Sequence, residues 1–143
     1  MERGGGSVDS FQVLIDSDAF VAWSLPEDFF HQQVQALFEK LSKEKTRLVS
    51  TSLVIAETAT VLSNRGGQAT ARLFLERIEQ IGLPVIHITE EIQQEAMEFF
   101  KRQDTRGTSM VDCSNVVVTH RFFIPEIFSF DGFYKRLNLK IVG

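Results

Sequence analysis

The side chains in this sequence that could do chemistry together are four acids that lie far apart along the chain: Asp16, Glu57, Asp112 and Asp131. Carboxylate oxygens are the ligands that Mg²⁺ and Mn²⁺ prefer in proteins. A divalent ion held by such a cluster lowers the pKa of bound water and activates it for hydrolysis. The four acids therefore predict a metal-dependent hydrolase, provided that the fold brings them together.

The positions of the acids relative to the predicted elements favour such convergence. Asp16 and Asp131 each directly follow an apolar run that predicts a strand. Glu57 and Asp112 lie within the first two turns of predicted helices. In an open α/β sheet, functional groups gather beyond the carboxyl ends of the strands and at the helix starts that follow them. We therefore expect all four carboxylates at one edge of a sheet.

Two of the acids lie on apolar helix faces. At about 100° per residue, Glu57 shares a face with Leu53 and Val61, and Asp112 shares one with Val116. A carboxylate on an apolar face is costly unless hydrogen bonds or a cation satisfy it. A hard divalent cation would offset that cost.

Each acid also has a structural explanation that needs no chemistry. Asp16 could cap the helix that follows it, and Ser109 with Asp112 has the spacing of a capping box. Asp131 with the following glycine could form a simple turn. Glu57 is the hardest to explain structurally, because its helix neighbours are apolar.

Apolar runs and helical periodicities alternate along the chain. Predicted strands cover about 11–15, 47–50, 84–88, 126–130 and 139–142. Predicted helices cover about 18–25, 26–45, 52–64, 68–81, 90–103, 109–123 and 134–137. This alternation predicts an α/β fold with a central parallel sheet flanked by helices, in three layers.

Composition restricts the class of protein. The chain has 143 residues, a net charge of −4 and one cysteine, Cys113, so it can form neither an internal disulfide nor a multi-cysteine zinc site. The acidic balance argues against nucleic-acid binding by bulk positive charge, although it leaves local RNA contacts open. Residues 1–10 are expected to be a flexible leader and 11–143 a single domain. No apolar run approaches the roughly 20 residues that span a bilayer, so a cytoplasmic location is expected.

Four segments carry a resemblance to a known family. They are VLIDSDAFVAW, VSTSLVIAET, TSMVDCSNVVVTH and IFSFDGFYKRL, and each contains one of the four acids. In order and spacing they resemble the PIN-domain ribonucleases, and within them the VapC-like toxins of bacterial and archaeal toxin–antitoxin pairs. The resemblance covers nearly the whole chain from about Val13.

The resemblance implies a function and a site. Asp16, Glu57, Asp112 and Asp131 match the family's acidic metal-binding positions, and Ser17 matches the small hydroxyl residue after the first Asp. It implies a PIN-like fold and an endoribonuclease that uses Mg²⁺ or Mn²⁺. It also implies an antitoxin protein as partner and a homodimer.

Two residues depart from the family pattern. Asp18 stands where many relatives carry Asn or Ser, and it either joins the metal shell or caps the next helix. Asn115 lies one turn after Asp112 and is expected as a supporting partner of the cluster.

Other residues are weaker candidates. Basic side chains that could contact phosphate are Arg65, Arg72, Arg102, Arg106, Arg121, Lys135 and Arg136. His87 and His120 are expected to be packed or surface residues, and Cys113 a packing residue. Two other functions stay open: a Mg²⁺-binding regulatory α/β domain and a catalytically silent PIN-like binding module.

Overall fold

The computed structural model of the chain describes residues 10–142. Its strands are β1 (Val13–Ile15), β2 (Leu48–Thr51), β3 (Val85–Ile86), β4 (Glu126–Phe128) and β5 (Lys140–Val142). Its α-helices are α1 (Ser17–Ser24), α2 (His31–Lys43), α3 (Ser52–Gly66), α4 (Gln68–Ile81), α5 (Glu90–Lys101) and α6 (Met110–Arg121). A 3₁₀-helix covers Gly132–Leu137. The predicted leader lies outside the described residues apart from Ser10.

The five strands form one parallel sheet in the order β3-β2-β1-β4-β5. Strand β1 is central, and Val13 aligns with Leu48 of β2 on one side and with Glu126 of β4 on the other. Because all the strands are parallel, their carboxyl ends share one edge of the sheet. That edge carries the residues that follow β1 and β4.

Helices cover both faces of the sheet, as the sequence predicts. Side chains alternate along β1: Val13 and Ile15 pack in one core with helices α1 to α4, and Leu14 packs in another with α5 and α6. Strands buried on both faces are apolar throughout, which explains the unbroken apolar runs in the sequence. The expected three-layer α/β fold is confirmed.

The predicted start of the second helix is wrong. Pro26 to Phe30 form turns, and α2 begins only at His31. The reason is local: the Asp28 carboxylate accepts a hydrogen bond from the Phe30 N–H at 2.9 Å, which holds a turn in place of a first helical turn.

Other boundaries differ by a few residues at element ends, where helices fray and strands lose pairing partners. Helix α4 has the bounds that the sequence predicts, whereas β3 is shorter than the predicted 84–88 and α6 ends before the predicted 123. Between α3 and α4, Gly67 has φ 94° and ψ 165°. This combination of φ and ψ is essentially restricted to glycine, so Gly67 can connect the two helices as a single residue.

Candidate active site

Asp16 lies at the centre of the cluster and is 4% exposed. It directly follows β1 and is the N-cap of α1, where its Oδ1 accepts a hydrogen bond from the Ser17 N–H at 2.8 Å. Three side chains also donate to its carboxylate: Asn115 Nδ2 at 3.1 Å, Ser129 Oγ at 2.9 Å and the Tyr134 hydroxyl at 3.2 Å. The capping alternative is therefore correct, and the same carboxylate also receives donors from three distant segments.

Asp112 reaches the same cluster from α6. Its Oδ2 accepts from the Ser109 N–H at 3.1 Å, while Ser109 Oγ accepts from the Asp112 N–H at 3.0 Å, which completes the expected capping box. The other oxygen, Oδ1, lies 3.2 Å from the Tyr134 hydroxyl. The structure thus brings Asp16 and Asp112 within 3.2 Å of one phenol oxygen.

Tyr134 was not among the predicted site residues. The phenol has one hydrogen, which it can donate to either Asp16 or Asp112, and it accepts from Asn115 Nδ2 at 3.0 Å. Burial and the neighbouring carboxylates raise the pKa of Tyr134, so it stays a neutral donor. The supporting role predicted for Asn115 matches these contacts, since its amide touches both Asp16 and Tyr134.

Ser129 is the second residue that sequence reasoning missed. It follows β4, is fully buried, and lies within hydrogen-bonding distance of Asp16 Oδ2 and of Asp18 Oδ2, at 2.9 and 3.2 Å. Its oxygen also accepts from the Asp131 N–H at 3.0 Å. Ser129 therefore links three acids, and its position two residues before Asp131 at a strand end is the signal that could have indicated it.

Asp18 joins the cluster and does not cap the helix. Asp16 occupies the N-cap of α1, so the capping alternative for Asp18 is wrong. Asp18 Oδ2 accepts from the Phe130 N–H at 2.9 Å, and its Oδ1 is buried without a hydrogen-bond partner. Burial raises the pKa of Asp18 to about 6, with a further increase from the charge of Asp131.

Asp131 and Glu57 lie at the periphery. Asp131 is exposed and caps the 3₁₀-helix by accepting from the Phe133 N–H at 2.9 Å. Its charge raises the pKa of Asp112, after the larger effect of burial. Glu57 is half-buried, and its carboxylate accepts a hydrogen bond from Ser17 Oγ at 2.7 Å. That bond is the polar partner that its apolar helix face requires.

The cluster is strained by its own negative charge. Burial, followed by the charge of Asp18, raises the pKa of Asp16 to about 7. Asp112 contributes a smaller increase to the same group. Such shifts mean that the folded protein disfavours full ionisation of these carboxyls unless a positive charge compensates them.

The oxygen atoms of the cluster are of the chemical kind that binds a hard divalent cation. The acids supply oxygen ligands, and two buried oxygens, Asp18 Oδ1 and Asn115 Oδ1, have no hydrogen-bond partner. Within residues 10–142, however, no three His, Cys, Asp or Glu side chains are arranged to hold one ion together. The hydroxyls of Tyr134 and Ser129 occupy the carboxylate oxygens that an ion would take.

Two predicted basic residues lie beside the cluster. Arg106 and Arg136 line a pocket of about 360 Å³ together with Asp112 and Asp131. Arg136 Nη1 donates to Thr105 Oγ1 at 3.1 Å, which connects the 3₁₀-helix to the loop before α6. This pocket puts positive charge next to the acids.

The other basic candidates differ in position. Arg65 lines a separate pocket with Ser17 and Asp18. Arg121 is paired with Glu95 at 2.8 Å, and Arg102 lies over the Phe99 ring. The remaining candidates are Arg72, which lines a pocket between α3 and α4, and Lys135, which is exposed.

Two of the three histidines and the cysteine lie where the sequence predicts. His87 and His120 are exposed, and Cys113 is fully buried. Burial, followed by the charge of Asp112, raises the pKa of the Cys113 thiol to about 11. The thiol is therefore a packing group and not a nucleophile. Across residues 10–142, no helix combines the length and apolar composition needed to cross a membrane.

Comparison with known proteins agrees with this architecture. The chain is 25% identical over 121 residues to the 23S rRNA-specific endonuclease VapC20 of Mycobacterium tuberculosis, in strains CDC 1551 and H37Rv alike. The match covers 84% of this chain and 89% of the relative. The crystal structure of Mycobacterium tuberculosis VapC20, a sarcin-ricin loop cleaving toxin, shares the fold with a TM-score of 0.79 and 22% identity. It covers 90% of this chain and 96% of that one. The PIN-domain family model matches residues 13–138, and the chain therefore belongs to the PIN-domain family.

Proposed function

We propose that the chain is a metal-dependent endoribonuclease that hydrolyses RNA phosphodiester bonds at the carboxylate cluster. The observation that carries this proposal is that Asp16 and Asp112 both contact one hydroxyl, that of Tyr134, with Asp18 linked to Asp16 through Ser129. Acids crowded in this way at the carboxyl edge of a parallel sheet favour a bound cation, whose charge would offset their repulsion. RNA is proposed as the substrate because the VapC20 relatives are named as 23S rRNA-specific endonucleases.

Asp16 and Asp112 are the residues that we expect to hold Mg²⁺ or Mn²⁺, with Asp131 and Glu57 completing the site. A bound divalent ion would lower the pKa of water for attack on phosphorus and offset charge on the phosphate. Four neighbouring donors hold the Asp16 side chain in place, and the hydroxyl hydrogens of Ser129 and Tyr134 would turn away from its oxygens when an ion binds. Ser17 holds Glu57 toward the start of α1.

Substrate contacts come from the chain's own cations. Arg106 and Arg136 share a pocket with Asp112 and Asp131, so a phosphate next to the scissile bond can receive hydrogen bonds from both guanidinium groups. We also propose that the protein is the toxin of a toxin–antitoxin pair, with an antitoxin protein as partner and a homodimer as the assembly. The support for these partners is the similarity to VapC toxins.

The test is cleavage of single-stranded and structured RNAs by the purified protein in Mg²⁺, Mn²⁺ or EDTA. We expect cleavage with metal and none in EDTA. We expect Asp16→Asn and Asp112→Asn to lower the rate at least roughly 100-fold, since each removes a charged ligand. Glu98→Gln is the matched control, because Glu98 is an exposed acid paired with Lys101 on α5.

Calorimetric titration with Mn²⁺ separates the competing functions. A folded protein that binds no Mn²⁺ and cuts no RNA in a broad panel would contradict the nuclease proposal. Binding of Mn²⁺ without cleavage would favour a metal-binding regulatory domain. Full cleavage by Asp16→Asn would place the chemistry elsewhere.

A further inference from the structure

A second pocket opens beside the carboxylate cluster and shares no lining residue with the pocket of Arg106 and Arg136. Its volume is about 330 Å³, and it shares Ser17 and Asp18 with the cluster. Phe30 and Phe130 form part of its wall. None of the roles assigned above to the acids or to the cationic pocket uses this space.

The aromatic wall is rigid and is tied to the cluster. The rings of Phe30 and Phe130 stack with centroids 4.1 Å apart and an interplanar angle of 10°. The Phe130 N–H donates to Asp18 Oδ2 at 2.9 Å, and the Phe30 N–H donates to Asp28 Oδ1 at 2.9 Å. Both ends of the stacked pair are therefore anchored through the backbone, and the wall keeps a fixed position relative to Asp18.

The pocket also contains hydrogen-bonding groups. Arg65 Nη1 and Nη2 both lie 3.4 Å from Asp28 Oδ2, at the long limit of a hydrogen bond. The Arg65 side chain is 48% exposed, and a long ion pair of this kind contributes little stability. Its guanidinium can therefore donate to a ligand while the Asp28 carboxylate accepts from one.

The charge of the pocket restricts its ligand. Arg65 is the one cation among the lining residues, whereas Asp18 and Asp28 are both acids. A phosphate would meet more negative than positive charge there, so the phosphate belongs in the other pocket, with Arg106 and Arg136. A neutral, flat group with donors and acceptors at its edge suits both the aromatic wall and the mixed charges.

We propose that this pocket binds one unstacked nucleobase of the RNA strand, adjacent to the bond held at the carboxylates. Single-stranded RNA is recognised by splaying out bases, packing them on aromatic side chains and hydrogen-bonding their edges. Phe30 and Phe130 supply the apolar contact, and Arg65 and Asp28 supply the edge contacts. The inference rests on the proposed nuclease function and adds a determinant of base preference to it.

The test uses RNAs that the protein cuts at one bond, in which each base within two nucleotides of that bond is replaced in turn by an abasic ribose. For the wild type, one abasic position is expected to lower kcat/KM roughly 10-fold more than the others. In Arg65→Ala and Phe130→Leu the same abasic substitution should cost less than about 2-fold, because the base contact is already weakened.

Arg121→Ala is the matched control, because Arg121 is also a half-exposed arginine paired with an acid, Glu95. It should keep the wild-type dependence on the abasic position. Equal tolerance of all abasic positions by the wild type would overturn the proposal. So would an unchanged dependence on the abasic position in both pocket variants.

A second measurement does not depend on cleavage. Nucleoside monophosphates in EDTA should shift the NMR signals of the Phe130 and Asp18 amides, and ribose 5-phosphate should not. If no nucleotide perturbs these amides, or if ribose 5-phosphate perturbs them equally, the base pocket is wrong even when RNA is cut. Failure of the nuclease proposal appears separately, as the absence of cleavage of intact RNA.

Discussion

At the scale of single residues, structural and chemical roles fall on the same side chains. Asp16 and Asp131 each cap a helical segment through one carboxylate oxygen, and Asp112 uses one oxygen in the capping box of α6. For Asp16 and Asp112 the other oxygen faces donors from distant parts of the chain. The capping explanation and the cluster explanation therefore hold together, because a carboxylate has two oxygens and a cap uses one.

Asp16 makes the stability of the metal-free protein depend on pH. Its pKa is about 7 in the folded protein, mainly because of burial, and near the ordinary aspartate pKa of 3.8 in the unfolded chain. Between these values folding takes up a proton, so the free energy of unfolding falls as pH rises from about 4 to 7. The stabilisation is complete below the unfolded pKa and lost above the folded one, on the order of 4 kcal/mol for this group alone.

We expect Asp16→Asn to remove this part of the pH dependence and to be more stable than the wild type at pH 8 without metal. The side chain fits, because the hydroxyls of Ser129 and Tyr134 can rotate to accept from an amide. Urea unfolding at pH 4.5 and pH 8 in EDTA measures the difference. Glu98→Gln should keep the wild-type profile. A variant that is less stable than the wild type at pH 8 would refute this account of the charge strain.

At the scale of elements, helix starts position the site. Three helices begin with a hydroxyl cap whose oxygen accepts from a backbone N–H in the first turn: α3 at Thr51, α5 at Thr89 and α6 at Ser109. Only the cap at Ser109 belongs to a box that also fixes a cluster acid, Asp112. The start of α6 therefore carries both helix stability and the orientation of a carboxylate.

Comparing two cap deletions separates these effects. Ser109→Ala and Thr89→Ala should each lower the free energy of unfolding by about 1 kcal/mol, because each loses one capping hydrogen bond. Only Ser109→Ala should also lower kcat/KM, by roughly 10-fold, since a misplaced catalytic group is costly. Denaturant unfolding and RNA cleavage are measured on both variants. Equal cleavage by both would show that the box has no role in orienting Asp112.

At the scale of the whole molecule, RNA binding is expected to depend on where the positive charges lie and not on the net charge. The chain carries a net charge of −4, yet Arg106 and Arg136 share one pocket beside the acids. Arg121 and Arg65 are paired with acids instead. RNA binding should therefore depend on few phosphate contacts and only weakly on salt.

This distribution predicts the salt dependence of binding. In EDTA, the affinity for a single-stranded RNA measured by fluorescence anisotropy should fall with salt at a log–log slope of about −0.7 per phosphate contacted. Arg136→Ala should make the slope shallower by about 0.7 and weaken binding to all sequences alike. Arg121→Ala should change neither. An unchanged slope for Arg136→Ala would remove that arginine from the phosphate site.

A feature of the fold could be predicted from the sequence where the interactions that form it are between residues close together along the chain. Alternating apolar runs and helical periodicities determine the α/β class, the bounds of α4 and the capping box at Ser109, because these depend on neighbours in sequence. The second helix is the exception: its predicted start at Pro26 ignored the turn held by the Asp28 side chain. A side-chain bond to the nearby backbone competes with helical propensity and in this case prevails.

The sequence by itself determined that acids follow strands β1 and β4 and lie within the first two turns of helices α3 and α6, and hence that they could meet at one edge. Only the tertiary structure decided which of them meet. It places Asp16 and Asp112 on Tyr134, adds Asp18 through Ser129, and leaves Asp131 exposed and Glu57 with Ser17. The strand order sets these contacts between residues far apart in sequence. A local pattern carries no information on such pairs, since only the pairing of β1 with β4 brings Ser129 beside Asp16.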